Sequence, residues 1–270
     1  MGARRGTWRT GWLRRPSRGL TQRVVLTALG GSGATPDTGL VAPVLVLHSM
    51  AEIDERAAEV KGEIVLVSVP FDQNLADVGL EDAAYSQAVR PRYRVPSALA
   101  RLGAVAALVL SAGGADFRLP HTGSSHWPAG MTPLPSAALD AEYELLIERL
   151  AARAPVTLKL TLTPRTLPDA DSHNVNADLP GRKFPGQFVL VSRHLDSWDL
   201  GTGAIDDGTE LSASMGAVAL LKSLGIVGRR TIRVVAWMNE ENGARGTRYA
   251  PQRRTASAGP ASARAPRTAV

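Results

Sequence analysis

The sequence contains no cysteine. That absence excludes disulfide staples, thiolate metal ligands and thiolate nucleophiles, and leaves any metal to histidine, aspartate or glutamate. Aromatic residues are scarce at 5%, and no aromatic or Gly-rich recognition pattern accompanies the arginines, so nucleic acid is not expected as a partner. Long apolar runs are missing too. The longest candidates, residues 24–29 and 64–69, fall far short of the roughly 18 residues that span a bilayer, which predicts a soluble chain without a transmembrane segment. Residues 24–29 are also at the short limit of a secretory core of about 7 to 15 residues and lie far from Arg4 and Arg5, so no signal peptide is recognisable.

Acidic residues are absent from both ends. Residues 1–23 hold seven Arg and residues 245–270 hold six, with no Asp or Glu in either stretch. The net charge of +6 is therefore a property of the ends, because the middle of the chain sets 18 basic residues against all 25 acidic ones. Both ends read as solvated and poorly ordered, and the stretch 251–270, rich in Arg, Ala and Pro, has no periodic apolar face with which to offset its ordering entropy. With 270 residues, 44% of them hydrophobic, the body between can bury a sizeable core.

What remains reads as α/β. Residues 41–47, 63–69 and 105–110 are Val/Leu/Ala-rich runs that predict buried strands, and helices are predicted at 50–60, 96–102 and 139–152. Residues 112–135, rich in Gly, Pro, Ser and Thr, read as loop. A first domain over 24–160 is thus expected, then a linker over 161–171, where prolines and aspartates interrupt any shared core. A second domain over 172–250 follows, with strands at 174–179, 187–192 and 231–237 and a helix at 210–224.

The chemistry is concentrated in that second domain. His194 stands just past a predicted strand and opens a Gly-rich loop that carries Asp196, Asp199, Asp206 and Asp207. Imidazole and carboxylate together suit a borderline-soft dication such as zinc, and so many acids would repel one another without a cation. Glu240 and Glu241 lie at the end of another predicted strand, where open α/β sheets place their sites. Asp196, two residues from His194, is expected to accept the second ring N–H. Taken alone, each group is more ordinary: a His-x-Asp surface pair, two solvated glutamates, an Asp-Asp-Gly turn.

Taken together, His-Leu-Asp-Ser-Trp-Asp at 194–199, Gly-x-Gly-Ala-Ile-Asp-Asp-Gly at 201–208 and Asn-Glu-Glu-Asn-Gly at 239–243 resemble the carboxypeptidase Q or plasma glutamate carboxypeptidase-like group of dizinc exopeptidases. Residues 35–155 resemble the protease-associated domain that precedes the catalytic motifs in this group, through Ala-Glu-Val-Lys-Gly-Glu-Ile-Val-Leu at 58–66 and Pro-His-Thr-Gly at 120–123. The resemblance implies a small protease-associated α/β domain followed by a mixed-sheet α/β zinc-exopeptidase domain. It implies that His194 binds one of two zinc ions, Asp206 bridges them, Glu241 binds the second, Glu240 is the general base and Asp196 orients His194. A cis peptide between Asp206 and Asp207, short peptide substrates and an extracellular setting are implied as well, and a homodimer is compatible with it.

The sequence departs from the group in four places. The group draws a further Asp and a later His into its site, whereas residues 242–270 contain no Asp, Glu or His. Each zinc is then expected to keep two protein ligands, which predicts a truncated or frame-altered member with impaired hydrolysis. Arg193 replaces a usual Gly, and its charge beside a cation is unfavourable unless the side chain points away. Glu210 stands where a small residue is expected, and the Arg-rich start replaces a helical region. The competing expectation is a non-catalytic protease-associated binding module with a vestigial peptidase segment. His121 is expected to be a loop histidine with a satisfied hydrogen bond.

Overall fold

The computed structural model describes residues 9–15, 20–114, 117–198, 200–244, 246 and 262–269, in two compact units, the second of which lies within Leu167–Arg267.

The first unit is a closed seven-stranded barrel. Its strands are β1 (Arg9–Arg15), β2 (Leu20–Ala28), β3 (Leu40–Leu47), β4 (Ile64–Val67), β5 (Ala106–Leu110), β6 (Ser136–Leu139) and β7 (Thr157–Leu160), in the order β1-β2-β6-β5-β4-β3-β7. β3, β4, β5 and β6 run parallel, and the remaining pairings are antiparallel. Strand alternation sends Ile64, Leu66, Ala106 and Leu108 into one apolar cluster and Val65, Val67, Ala107 and Val109 into another. β4 and β5 are thus buried on both faces, as their unbroken apolar runs require. Helices complete each cluster: α4 (Ala141–Ala151) brings Tyr143 and Ile147 to the first. α1 (Ala51–Glu55) brings Ile53 to the second, and α3 (Glu81–Arg101) brings Val95 and Leu99. A short α2 (Gln73–Asp77) precedes α3, started by the Asp72 carboxylate, which accepts from the Leu75 amide.

Three expectations are corrected in this unit. The short helix predicted at 96–102 is the end of a 21-residue α3 that runs through Pro91 and Pro96. Each proline removes one intrahelical hydrogen bond, but both are buried along with Ala84, Ala88, Val95 and Leu99, and that packing outweighs the local loss. The helix predicted at 50–60 breaks into α1 and a 3-10 turn, Ala57–Glu59. The Arg-rich start is not uniformly unordered: β1 pairs with β2 and β7 and closes the barrel. Charge composition could not foresee this, because the pairing is made by the backbone. Residues 1–8 and 16–19 lie outside the described set.

A buried carboxyl in this unit, Glu144, sets a pH dependence. Glu144 is 3% exposed, accepts a hydrogen bond from the Ser68 hydroxyl, and lies against the carboxyl of Glu148, with which it shares a hydrogen bond. Burial, opposed by the Ser68 bond and reinforced by Glu148, pushes its carboxyl up to about 7. The folded protein therefore holds a proton that the unfolded chain has already released above about pH 4.5. Its stabilising contribution is full below that pH and is lost as pH rises towards 7. Melting at pH 5 should exceed melting at pH 8 by a stability on the order of 2 kcal/mol, and Glu144→Gln should flatten the difference. An unchanged pH slope in Glu144→Gln would refute the assignment.

The second unit contains β9 (Val175–Leu179), β10 (Phe184–His194), α5 (Glu210–Ser223) and β11 (Arg230–Trp237), with sheet order β10-β11-β9. β10 and β11 are parallel, which the intervening α5 permits, and β9 is antiparallel to β11. The stretch expected as a linker is instead β8 (Arg165–His173), paired with β12 (Ser262–Ala269) from the stretch expected to be unordered. Prolines and aspartates exclude a shared core, but they do not exclude a two-stranded ribbon. The rest of the Arg-rich end, 245, 247–261 and 270, lies outside the described residues, Gly246 excepted.

Burial differs sharply between the units. In the second, only Leu211, Val234, Val235 and Ala236 are buried hydrophobics among the described residues, while Phe188, Leu190, Ile205, Met215, Leu220 and Leu224 are exposed. So little buried apolar area favours local opening. Limited proteolysis of this 270-residue chain should degrade the second unit first and leave a resistant piece containing residues 20–160. Equal protection of both units, with a single cooperative melting transition, would contradict this.

Candidate metal centre

The parallel register of β10 and β11 sets His194 beside Trp237, so the chain leaves both strands on the same side of the sheet. His194 ends β10, and Glu240 and Glu241 follow three and four residues after Trp237. The Leu195 amide donates to the Trp237 carbonyl at 2.6 Å and carries the pairing one residue further. Between these two exits lies an irregular turn, Ala204–Thr209, that delivers Asp206 and Asp207. The Asp206–Asp207 peptide is cis, as expected. The turn depends on glycine at two points: Gly203 has φ 64° and a Cβ there would lie 2.7 Å from the Ser197 Cβ, while a Cβ on Gly208 would lie 2.6 Å from the Gly203 carbonyl oxygen.

Each hydrogen bond of His194 has a consequence. Its Nδ1 lies 2.8 Å from the Asp196 carbonyl oxygen, an acceptor, which requires the proton on Nδ1. Its Nε2 lies 2.9 Å from Asp206 Oδ1 and 3.7 Å from Asp207 Oδ2. With the proton on Nδ1, a neutral imidazole would point a lone pair at carboxylate oxygens. Such a pair needs a positive charge, either a second ring proton or a cation. Burial lowers the His194 pKa, but the Asp196 carbonyl and the charges of Glu240, Asp207 and Asp206 outweigh it and hold the ring above its usual value.

His194, Asp206 and Glu241 each direct one ligand atom into a common space, with those atoms all within 4.8 Å of one another. Imidazole nitrogen and carboxylate oxygen are a donor set for zinc. The electrostatics agree. Burial first, then the charges of Asp206 and Glu240, push the Glu241 carboxyl up to about 7, against a hydrogen bond from Trp198. Glu240 is raised as well, by burial and by Asp196, Asp206 and Asp207, with His194 opposing. A divalent cation among these acids would replace repulsion by attraction.

Of the five residues singled out in the sequence, three converge on the shared space and Glu240 lies beside it. Asp196 takes a different part from the one expected. Its backbone carbonyl, and not its carboxylate, receives the His194 N–H; the nearer carboxylate oxygen is 3.7 Å from Nδ1. The carboxylate instead accepts from the Glu240 amide at 2.9 Å and the Glu241 amide at 3.2 Å. Asp196 thus ties the glutamate pair to the histidine loop, because two converging amides are a better match for a carboxylate than one ring N–H.

Asp207 was not expected to have a role of its own. It is 7% exposed, and its Oδ2 accepts from the His194 amide at 3.0 Å. The signal was present in two adjacent acids in one tight turn, of which only one can face outward. Asn239, buried and at φ 65°, turns the chain just before the glutamates, and its side-chain oxygen accepts from Asn242. Arg193 and Glu210, the two charged departures, pair with each other through Nε and Oε2. The arginine's charge is thereby matched by a carboxylate. Asp199 lies outside the described residues. His121, in the first unit, is a loop histidine whose amide donates to Ser111 Oγ at 2.9 Å and whose ring Nδ1 is 2.6 Å from the Ala112 carbonyl oxygen.

Residues 174–263 match peptidase family M28. The chain is 36% identical to human carboxypeptidase Q over 222 residues, covering 82% of this chain and 45% of that protein. It is 38% identical to Xenopus laevis carboxypeptidase Q over 221 residues, again 82% of this chain and 45% of the other. It therefore spans about half the length of these relatives. Among solved structures, a peptidase M28 precursor from Shewanella amazonensis SB2B aligns with TM-score 0.82 and 31% identity, over 91% of this chain and 55% of that one. A zinc aminopeptidase from Bacillus subtilis shares the fold at TM-score 0.53 and 23% identity, over 92% of this chain and 53% of the other.

Proposed function

We propose that the chain is a zinc-dependent exopeptidase acting on short peptides, a reading supported by the match of residues 174–263 to peptidase family M28 and by the likeness to carboxypeptidase Q. The observation that carries this reading is the convergence of His194, Asp206 and Glu241 on one space, with imidazole Nε2 facing carboxylate oxygen. In this reading His194, Asp206 and Glu241 are the side chains that would hold the zinc, His194 and Glu241 each serving one ion and Asp206 serving both. Zinc bound there supplies Lewis-acid polarisation of the scissile carbonyl and lowers the pKa of an attacking water.

The protein's own groups do the remaining work. Nδ1 of His194, fixed by the Asp196 carbonyl, keeps Nε2 free for the metal. Glu240 is tethered through its amide to Asp196 and has a carboxyl raised by burial, which suits it to take the proton of the water and pass it to the departing amine. Catalytic zinc sites commonly use three protein ligands per metal. Among the described residues three side chains converge on the site, so zinc binding is expected to be weak and turnover low. The first unit is, in the same reading, a protease-associated domain, and the setting is extracellular. A homodimer that contributed ligands across its interface would appear as concentration-dependent activity.

The test is hydrolysis of a dipeptide panel by this chain with excess zinc, and again after chelation. Slow, chelator-sensitive release of amino acids is expected. No hydrolysis at saturating zinc, or hydrolysis indifferent to chelator, would refute the exopeptidase reading.

A further inference from the structure

At the opposite end of the parallel strands from the metal centre, four cations meet. Arg182 and Lys183 precede β10, Arg229 precedes β11 and Arg230 begins it. The Arg182 amide donates to the Gly228 carbonyl, and the Lys183 and Phe184 amides both donate to the Arg229 carbonyl, so backbone pairing fixes the two basic pairs side by side. Lys183 Nζ, Arg229 Cζ and Arg230 Cζ lie 5.4, 5.6 and 5.9 Å from the centroid of a single ring, Phe184. Three positive charges are thereby held within roughly one Debye length of one another.

None of the four has an ion-pair partner among the described residues. Arg230 Nε donates only to the neutral Gln187 amide oxygen. The contrast lies in the same sheet: Arg233 is held by both oxygens of Asp178 at 2.7 Å, and Arg193 pairs with Glu210. All four cations are exposed. Like charges crowded on one ring repel, and an anion placed over them relieves that repulsion as well as adding its own attraction.

We propose that Arg182, Lys183, Arg229 and Arg230 form a docking surface for an acidic peptide segment, one with closely spaced carboxylates. The ring chemistry favours a peptide over single-stranded nucleic acid. Base binding uses open aromatic faces as stacking platforms, whereas the Phe184 face is taken by cations and Phe188 carries Arg233 at 4.1 Å from its centroid. What is left outward is a set of N–H donors suited to carboxylate oxygens.

The experiment is fluorescence anisotropy of a labelled ten-residue oligoglutamate with the full chain. Binding is expected at 50 mM salt and should weaken steeply by 300 mM. The triple variant Lys183→Ala/Arg229→Ala/Arg230→Ala should weaken it about tenfold, while Arg230→Lys, which keeps the charge, should stay within about twofold. The variant Arg253→Gln/Arg254→Gln/Arg264→Gln/Arg267→Gln separates this surface from the Arg-rich end and should bind almost as wild type. Loss of binding in that variant, or unchanged binding in the folded triple variant, would overturn the proposal. Tighter patch-dependent binding of a single-stranded oligonucleotide or of phosphatidylserine vesicles would overturn its choice of partner.

Discussion

Glu240→Gln is expected to lower dipeptide hydrolysis by about 10²- to 10⁴-fold while leaving bound zinc nearly unchanged. Glutamine keeps the shape and the amide tether to Asp196, and removes only the ability to take a proton. The neighbouring substitution should behave differently. Glu241 contributes an oxygen to the three-residue cluster and Glu240 does not, so Glu241→Gln should lose metal and activity together. Opposite results for the two glutamines, with zinc lost in Glu240→Gln and retained in Glu241→Gln, would exchange their roles. Equal loss of zinc in both would remove the distinction between base and ligand.

Asp196→Ala should weaken zinc binding about 10- to 100-fold although Asp196 touches no metal in this account. Its two carboxylate oxygens hold the Glu240 and Glu241 amides, and its carbonyl fixes the His194 tautomer. Alanine keeps the carbonyl and discards the carboxylate, so it separates the two contributions. Asp196→Asn retains one acceptor and should fall between alanine and wild type. If Asp196→Ala binds zinc as tightly as wild type, the clamp on the glutamate pair is dispensable. If Asp196→Ala loses zinc only because the second unit unfolds, circular dichroism of the variant at saturating zinc will show it.

The residues of the centre were legible because chemistry and position coincide in the sequence. His194 and the glutamate pair each follow a β-branched run, and the acids crowd between glycines. The geometry between them was less so. Whether Asp196 faces the imidazole or the glutamate amides depends on how β10 and β11 register, and a spacing of two residues cannot encode a contact 44 positions away. Asp207 was hidden by its neighbour for the same reason. In the fold, β4 and β5 announced themselves through runs buried on both faces, whereas α3 did not, since Pro91 and Pro96 read locally as stops and only tertiary packing keeps the helix continuous. β8 was obscured by prolines and aspartates, whose partner strand lies almost a hundred residues later.

The most direct test of the account is the zinc stoichiometry of the 270-residue chain at equilibrium with saturating free zinc, measured beside Asp206→Asn. Close to two ions per wild-type chain are expected, released readily by chelator, and Asp206→Asn should lose both, since in the proposed function that carboxylate would serve both ions. Wild-type protein that binds no zinc at saturation, or Asp206→Asn that binds as much as wild type, would contradict the account.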